Sequence, residues 1–137
     1  MRTTTWTLAA VLLLALVFPA VAADRLSVRV VAVTDGDTFK ARVGSVVEVV
    51  RIVGLDAPER GSHVRCRIEA DLAERAWRNL ARLLASGPVE LQLHGRDRYG
   101  RVLALVTVSG RDVAPQMVNA ALARPYAGGR RLPWCPG

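Results

Sequence analysis

The chain has 137 residues, 51% of them hydrophobic, with 19 Lys+Arg against 12 Asp+Glu and two cysteines. That length is one domain's worth of chain and argues against several domains, while the apolar content excludes a disordered, highly charged tail. The formal net charge of +7 rests on 18 arginines and the single lysine, Lys40, and suits a polyanionic partner.

Residues 1–23 read as a secretory signal peptide. One cation, Arg2, precedes a continuously apolar run at 8–18; Pro19 breaks the run, and Ala20-Val21-Ala22 supplies a small-x-small cleavage site. The run falls short of the roughly 20 residues of a membrane span, which disfavours an uncleaved anchor. Export to the periplasm or the medium is therefore expected, with no membrane attachment after cleavage. One folded domain is expected over 24–137. Cys66 and Cys135 lack CxxC spacing, and in an oxidising compartment an intramolecular disulfide is the default. A free thiol or an intermolecular bridge is the alternative.

Residues 26–33 are valine-rich and read as a strand, followed by turn chemistry at Thr34-Asp35-Gly36-Asp37. Residues 38–43 and 46–53 read as strands joined by a Gly44-Ser45 hairpin, and 55–62 as a polar loop. Ile68, Leu72, Ala76, Leu80 and Leu84 recur every fourth residue, with Ala73, Trp77 and Leu83 beside them. This predicts an amphipathic helix, stopped by Gly87-Pro88. Val89, Leu91 and Leu93 alternate with polar residues as a half-buried strand, and 102–108 is another strand. Asp112 is placed to cap a short helix carrying Val113, Met117, Ala121 and Leu122, with Pro115 tolerated in its first turn. Residues 124–137 hold three prolines and three glycines and read as an irregular tail, whose Trp134 is expected to plug the barrel, with base stacking as the alternative. The pattern predicts a mainly β fold with helices (α+β): a five-stranded oligonucleotide-binding barrel carrying one long and one short helix. An open α+β sheet is the alternative.

Three polar clusters carry the chemistry: Asp35-Gly36-Asp37-Thr38, the stretch from Arg51 to Glu59, and Asp97-Arg98-Tyr99-Gly100-Arg101. Each alone has an ordinary reading as a turn, a solvated loop or a hairpin tip. If the strands pair, Asp37, Asp56 and Glu59 converge. Converging carboxylates repel unless a cation neutralises them, and an all-oxygen set suits calcium or magnesium. Neither His63 nor His94 has zinc-ligand spacing. Arg51 and Arg101 suit a phosphodiester whose transition state gains negative charge, because guanidinium binds phosphate bidentately and stays protonated. Structural ion pairing is the competing reading.

VTDGDTF at 33–39, VRIVGLDAPE at 50–59 and DRYGRVLA at 97–104, with VNAALA at 118–123 as a weaker fourth, together resemble the thermonuclease, or staphylococcal-nuclease-like, family. The resemblance covers roughly residues 26–123 and implies calcium-dependent hydrolysis of phosphodiester bonds in DNA and RNA. It implies Asp37 and Asp56 as ligands of one calcium ion, with the backbone carbonyl of Ala57 as a further ligand. It also implies Glu59 near the metal, acting on the attacking water, and Arg51 and Arg101 on the phosphate. Arg98 and Tyr99 match positions that bind a terminal phosphate, with Arg98 in place of the usual lysine. Tyr126 matches the base-packing aromatic positions only roughly, and the family's last helix is missing.

A monomeric nuclease acting on single-stranded or frayed nucleic acid, with no stable protein partner, is the expected function. The alternatives are a non-catalytic exported nucleic-acid-binding module and a cell-surface interaction domain built on structural ion pairs.

Overall fold

The computed structural model describes residues 24–137, so the expected signal peptide lies outside the described residues. Strands β1 (Leu26–Val33), β2 (Thr38–Val43) and β3 (Val46–Ile52) form an antiparallel meander. The turn between β2 and β3 uses Gly44 at φ +59°, where a side chain would be strained. Strands β5 (Val89–Arg96) and β6 (Val102–Val108) form a second antiparallel pair, and β5 also pairs with β1. The deciding contact is between β3 and β6, which run parallel with Val50 opposite Val102 and Ile52 opposite Ala104. This pairing closes the sheet into the expected five-stranded barrel and excludes the open-sheet alternative.

The barrel interior follows from strand alternation. Phe39 and Ala41 point inward and are buried while Lys40 and Arg42 face solvent. Val50, Ile52, Leu91, Ala104 and Val106 complete the same core. Leu93, expected on the buried face of β5, is 54% exposed. The register of β5 against β6 shifts just beyond it, between Leu93 and Arg96, as the strand runs out toward the cleft.

Helix α1 (Arg67–Ala85) covers one end of the barrel through Ala73, Ala76, Leu80 and Leu84. The expected stripe is only partly correct, because Ile68 is 58% exposed. Each four-residue step advances about 400° around a helix, so a strict every-fourth pattern drifts about 40° per step. Over four steps the stripe leaves the barrel, and Glu69 takes the buried position instead. Glu69 closes the helix start: its Oε2 accepts from Arg65 N at 2.8 Å, and its own N–H points to Cys66 Sγ at 3.5 Å. Cys66 is disulfide-bonded to Cys135, as expected.

Three further expectations need correction. The segment expected to be a loop begins with strand β4 (Gly54–Asp56), and a single 3-10 turn forms at Gly61–His63. The start of the tail is not irregular: β8 (Arg124–Tyr126) pairs antiparallel with β4, setting Arg124 opposite Asp56. Trp134 does not plug the barrel. It is half-buried outside the core, with the Arg124 guanidinium 3.7 Å from its ring centre.

The chain reaches β8 from β7 (Arg111–Asp112) and helix α2 (Val113–Asn119), shorter than expected. Asp112 occupies the N-cap position without a side-chain cap bond. After α2, Leu122 N donates to Met117 O and Ala121 N to Val118 O, a paired closure of the helix end that requires a left-handed residue. That residue is Ala121, at φ +56°, where glycine would be unstrained. Ala121→Gly is expected to raise unfolding free energy by about 1 kcal/mol, checked as a shift in the urea midpoint at unchanged slope.

Candidate active site

The site is built where β2, β3 and β4 end together. Gly54, at φ +90°, turns the chain sharply from β3 into β4 and so places Asp56 beside the end of β2. The Asp35-Gly36-Asp37 loop is pressed between Ala57 and α1. A Cβ on Gly36 would lie 2.7 Å from both Ala57 Cβ and Ala76 Cβ. Arg60 clamps the same loop by donating to Thr34 O at 2.9 Å, and Trp77 Nε1 donates to Val33 O at 2.9 Å.

Asp37, Arg51 and Asp56 are all buried and meet at the centre. Arg51 Nη2 lies 3.2 Å from Asp37 Oδ2 and 3.8 Å from Asp56 Oδ1. Its Nη1 donates to Ile52 O at 2.8 Å and Leu55 O at 3.1 Å. Arg51 is therefore a buried hub, engaged far more with the protein than a free phosphate clamp would be. Thr38 Oγ1 donates to Asp37 Oδ1 at 2.8 Å, and Ala57 contributes its N–H to Asp37 Oδ2 at 3.0 Å. Asp56 Oδ1 is buried without a hydrogen-bond partner.

The expected convergence of three carboxylates needs qualification. Among the described residues Asp37, Asp56 and Glu59 do not all come within 4.8 Å of one another, and Glu59 is held by Arg131, a residue the sequence pattern does not single out. Arg131 Nη1 donates to Glu59 Oε1 at 2.8 Å, and its Nε lies 3.2 Å from Asp56 Oδ1. Among the described residues, the set of three ligand-type side chains within 4.8 Å of one another is Cys66, Glu69 and Cys135, and its two sulfurs are bonded to each other.

The electrostatics are unbalanced toward negative. Asp37, Asp56 and Glu59 bring three carboxyl groups to the two guanidiniums of Arg51 and Arg131, with Asp35 beside Asp37. Burial, then the Asp37 carboxylate, pushes Asp35 up to about 7. Burial also raises Asp56 against the opposing pull of Arg131. Arg131 itself is held above its ordinary value: burial opposes the charge, but Asp56, Asp37 and Glu59 outweigh it. An all-oxygen set with a buried carboxylate oxygen that makes no hydrogen bond is donor chemistry a hard cation accepts.

Asp97 organises the third cluster. It accepts from the backbone N–H of Tyr99 at 2.9 Å and of Arg101 at 3.0 Å, and from Arg101 Nε at 2.7 Å. Burial works to raise its carboxyl, but the Arg101 and Tyr99 hydrogen bonds hold it below the usual range. Tyr99 is 68% exposed, and Arg98 Nη2 donates to its hydroxyl at 2.7 Å. One open cleft of about 1470 Å³ gathers Asp37, Arg51, Glu59, Arg98, Tyr99 and Arg101 on its walls. Asp35, His63, His94, Tyr126 and Arg131 line it too. Asp56 and Ala57 instead line a neighbouring cavity of about 330 Å³, which shares Glu59 and Arg131 with the cleft.

The sequence pattern of the staphylococcal nuclease homologue family matches residues 49–131. This chain belongs to the staphylococcal nuclease homologue family. Its relatives agree. The SPbeta prophage-derived endonuclease YokF of Bacillus subtilis is 34% identical over 93 residues, covering 66% of this chain and 31% of the relative. An uncharacterized endonuclease of Haemophilus influenzae is 29% identical over 120 residues, covering 87% of this chain and 63% of the relative. One of Escherichia coli is 33% identical over 110 residues, covering 80% and 66% respectively. The chain thus spans between about a third and two thirds of the length of these relatives. The family match includes the second half of β3, the DAPE turn, α1, the Asp97 loop and the start of the tail through Arg131, so it covers most of the cleft apart from Asp35 and Asp37.

The close packing of Gly36 sets a test of how the family site is held. Gly36→Ala must push apart Ala57 and α1, and is expected to cost about 1–3 kcal/mol of stability. Denaturant unfolding measures this; an unchanged midpoint would mean the loop is not seated against α1.

Proposed function

We propose that the chain is an exported, calcium-dependent nuclease that hydrolyses phosphodiester bonds of DNA and RNA, using one calcium ion and acting as a monomer. The observation that carries this reading is that Arg51, Glu59, Arg101 and buried Asp37 all line one open cleft. A binding module needs cations for the backbone but gains nothing from an excess of buried carboxylate, which repels the same phosphates.

Asp37 and Asp56 would hold the cation, with the Ala57 carbonyl and Glu59 in support. Bound there, calcium would supply charge that polarises the phosphate. Arg101 stands half-buried at the cleft edge, where its guanidinium can meet a phosphate oxygen, fixed through Nε by Asp97. Arg51 gives a fixed positive charge on the cleft wall, set in advance by its four protein contacts. Glu59 orients a water and accepts its proton as the oxygen attacks phosphorus and the opposite P–O bond breaks, the leaving oxygen taking a proton from solvent to depart as a hydroxyl. Arg98 and Tyr99 provide an exposed cation and ring for a terminal phosphate and base. So few exposed rings favour splayed strands, with each base stack worth about 1–3 kcal/mol.

The test is cleavage of labelled single-stranded DNA by the oxidised chain, titrated with calcium from EDTA upward, beside Glu59→Gln. Calcium-dependent cleavage that falls at least a hundredfold in the variant is expected. Equal rates for both proteins would remove Glu59 from the reaction. Salt-sensitive binding without cleavage would make the chain a binding module.

A further inference from the structure

The segment after β8 is a strap fastened at both ends. Its start is held by the pairing of Tyr126 with Gly54 and of Arg124 with Asp56. Its far end is bonded through Cys135 to Cys66 at the start of α1. Two more ties lie between. Tyr126 donates its hydroxyl to Gly129 O at 2.7 Å, fixing the turn in which Gly128 and Gly129 both have positive φ. Arg124 Nη1 donates to Leu132 O at 3.3 Å and Pro133 O at 3.1 Å while its guanidinium covers the Trp134 ring.

Arg131 lies midway along this strap and reaches back into the site. Its guanidinium bridges two carboxylates at once, Nε toward Asp56 Oδ1 and Nη1 onto Glu59 Oε1. Isolated surface ion pairs contribute little, because two long side chains must be ordered to form them. Here the strap has already ordered the backbone on one side, and β4 with the turn after it does so on the other. The contact also falls on the wall shared by the cleft and the smaller cavity.

We propose that Arg131 is a positioning residue for the reaction: the disulfide-tethered strap delivers its guanidinium to fix Glu59 through Oε1, leaving Oε2 to meet the attacking water. This rests on the nuclease reading above. Lysine could pair with Glu59 but not bridge both carboxylates with a planar fork, so a conservative exchange restores only part of the effect.

The experiment compares wild type, Arg131→Ala, Arg131→Lys and the Cys66→Ser/Cys135→Ser pair in steady-state cleavage at saturating calcium, with Arg130→Ala as the control for tail charge. Arg131→Ala is expected to lower kcat at least tenfold with KM changed less than threefold, which marks an interaction made in the transition state. Arg131→Lys should recover several-fold, the cysteine pair should fall in the same direction as Arg131→Ala, and Arg130→Ala should stay within threefold of wild type. A second readout needs neither calcium nor turnover. In the metal-free oxidised chain the Arg131 Nη1–H resonance, the group that donates to Glu59, assigned by its loss in Arg131→Ala, should shift on Glu59→Gln. A rise in KM at unchanged kcat would make Arg131 a substrate-binding residue and overturn the proposal. Tighter calcium binding with faster cleavage in Arg131→Ala would make it a competitor of the metal and equally overturn it, as would an Arg131 resonance indifferent to Glu59. Normal cleavage by all variants defeats the positioning role alone; a wild-type chain that never cleaves defeats the nuclease reading with it.

Discussion

A buried guanidinium organises this molecule. Arg51 leaves β3 beneath the end of β2 and meets Asp37, Asp56 and two backbone carbonyls at once. Taking such a charge from water costs several kcal/mol, which only excellent geometry and full hydrogen bonding return. The geometry demands that β2, β3 and β4 end at the same place. Barrel closure through the parallel β3–β6 pairing, the Gly54 turn and the seat of Gly36 against α1 all serve that requirement. Removing Arg51 would strip buried Asp37 of its guanidinium and leave Asp56 to Arg131 alone. The same network that carries the site therefore also ties the barrel ends together.

That network is not self-sufficient. Its carboxyl groups outnumber its guanidiniums, and one buried Asp56 oxygen makes no hydrogen bond, meeting Arg131 and Arg51 only as ion pairs. A fold selected for stability alone would gain by replacing such a cluster with apolar side chains of equal volume. Its persistence in a cleft beside an exposed tyrosine and a half-buried Arg101 is what a charged substrate and a cation would explain. The tail adds a third guanidinium from a different part of the chain, held by a covalent bond rather than by a helix. In a domain of this size one cross-link can stand in for a packed element, because a closed loop of about 70 residues removes on the order of 4 kcal/mol of chain entropy from the unfolded state.

Much of this was legible in the sequence. Strand alternation in 38–43, the hairpin glycine and the Gly87-Pro88 stop are local signals, and each acts within its own element. Asp37, Arg51 and Asp56 were legible because they sit in compact motifs at strand ends. What was not legible depends on distant pairing. β4 is three residues long and forms only because β8 meets it, and β8 contains Pro125, which reads as a breaker. The placement of Ile68 failed because an every-fourth stripe drifts around a real helix. Arg131 was missed because its role comes from the disulfide: Cys66 follows Glu59 by seven residues, so bonding Cys135 to it carries the preceding arginines toward Glu59. That signal was present in the cysteine spacing, and it becomes readable once the pairing is combined with the acidic motif.

The central claim is that the excess carboxylate charge around Arg51 constitutes a site for one hard cation. Calorimetric titration of calcium into the metal-free oxidised chain, alongside Asp56→Asn, tests it most directly. The account predicts one calcium per chain, with affinity reduced at least tenfold in the variant. Absence of binding, or binding indifferent to Asp56, would contradict it and leave the cluster as a purely structural set of ion pairs.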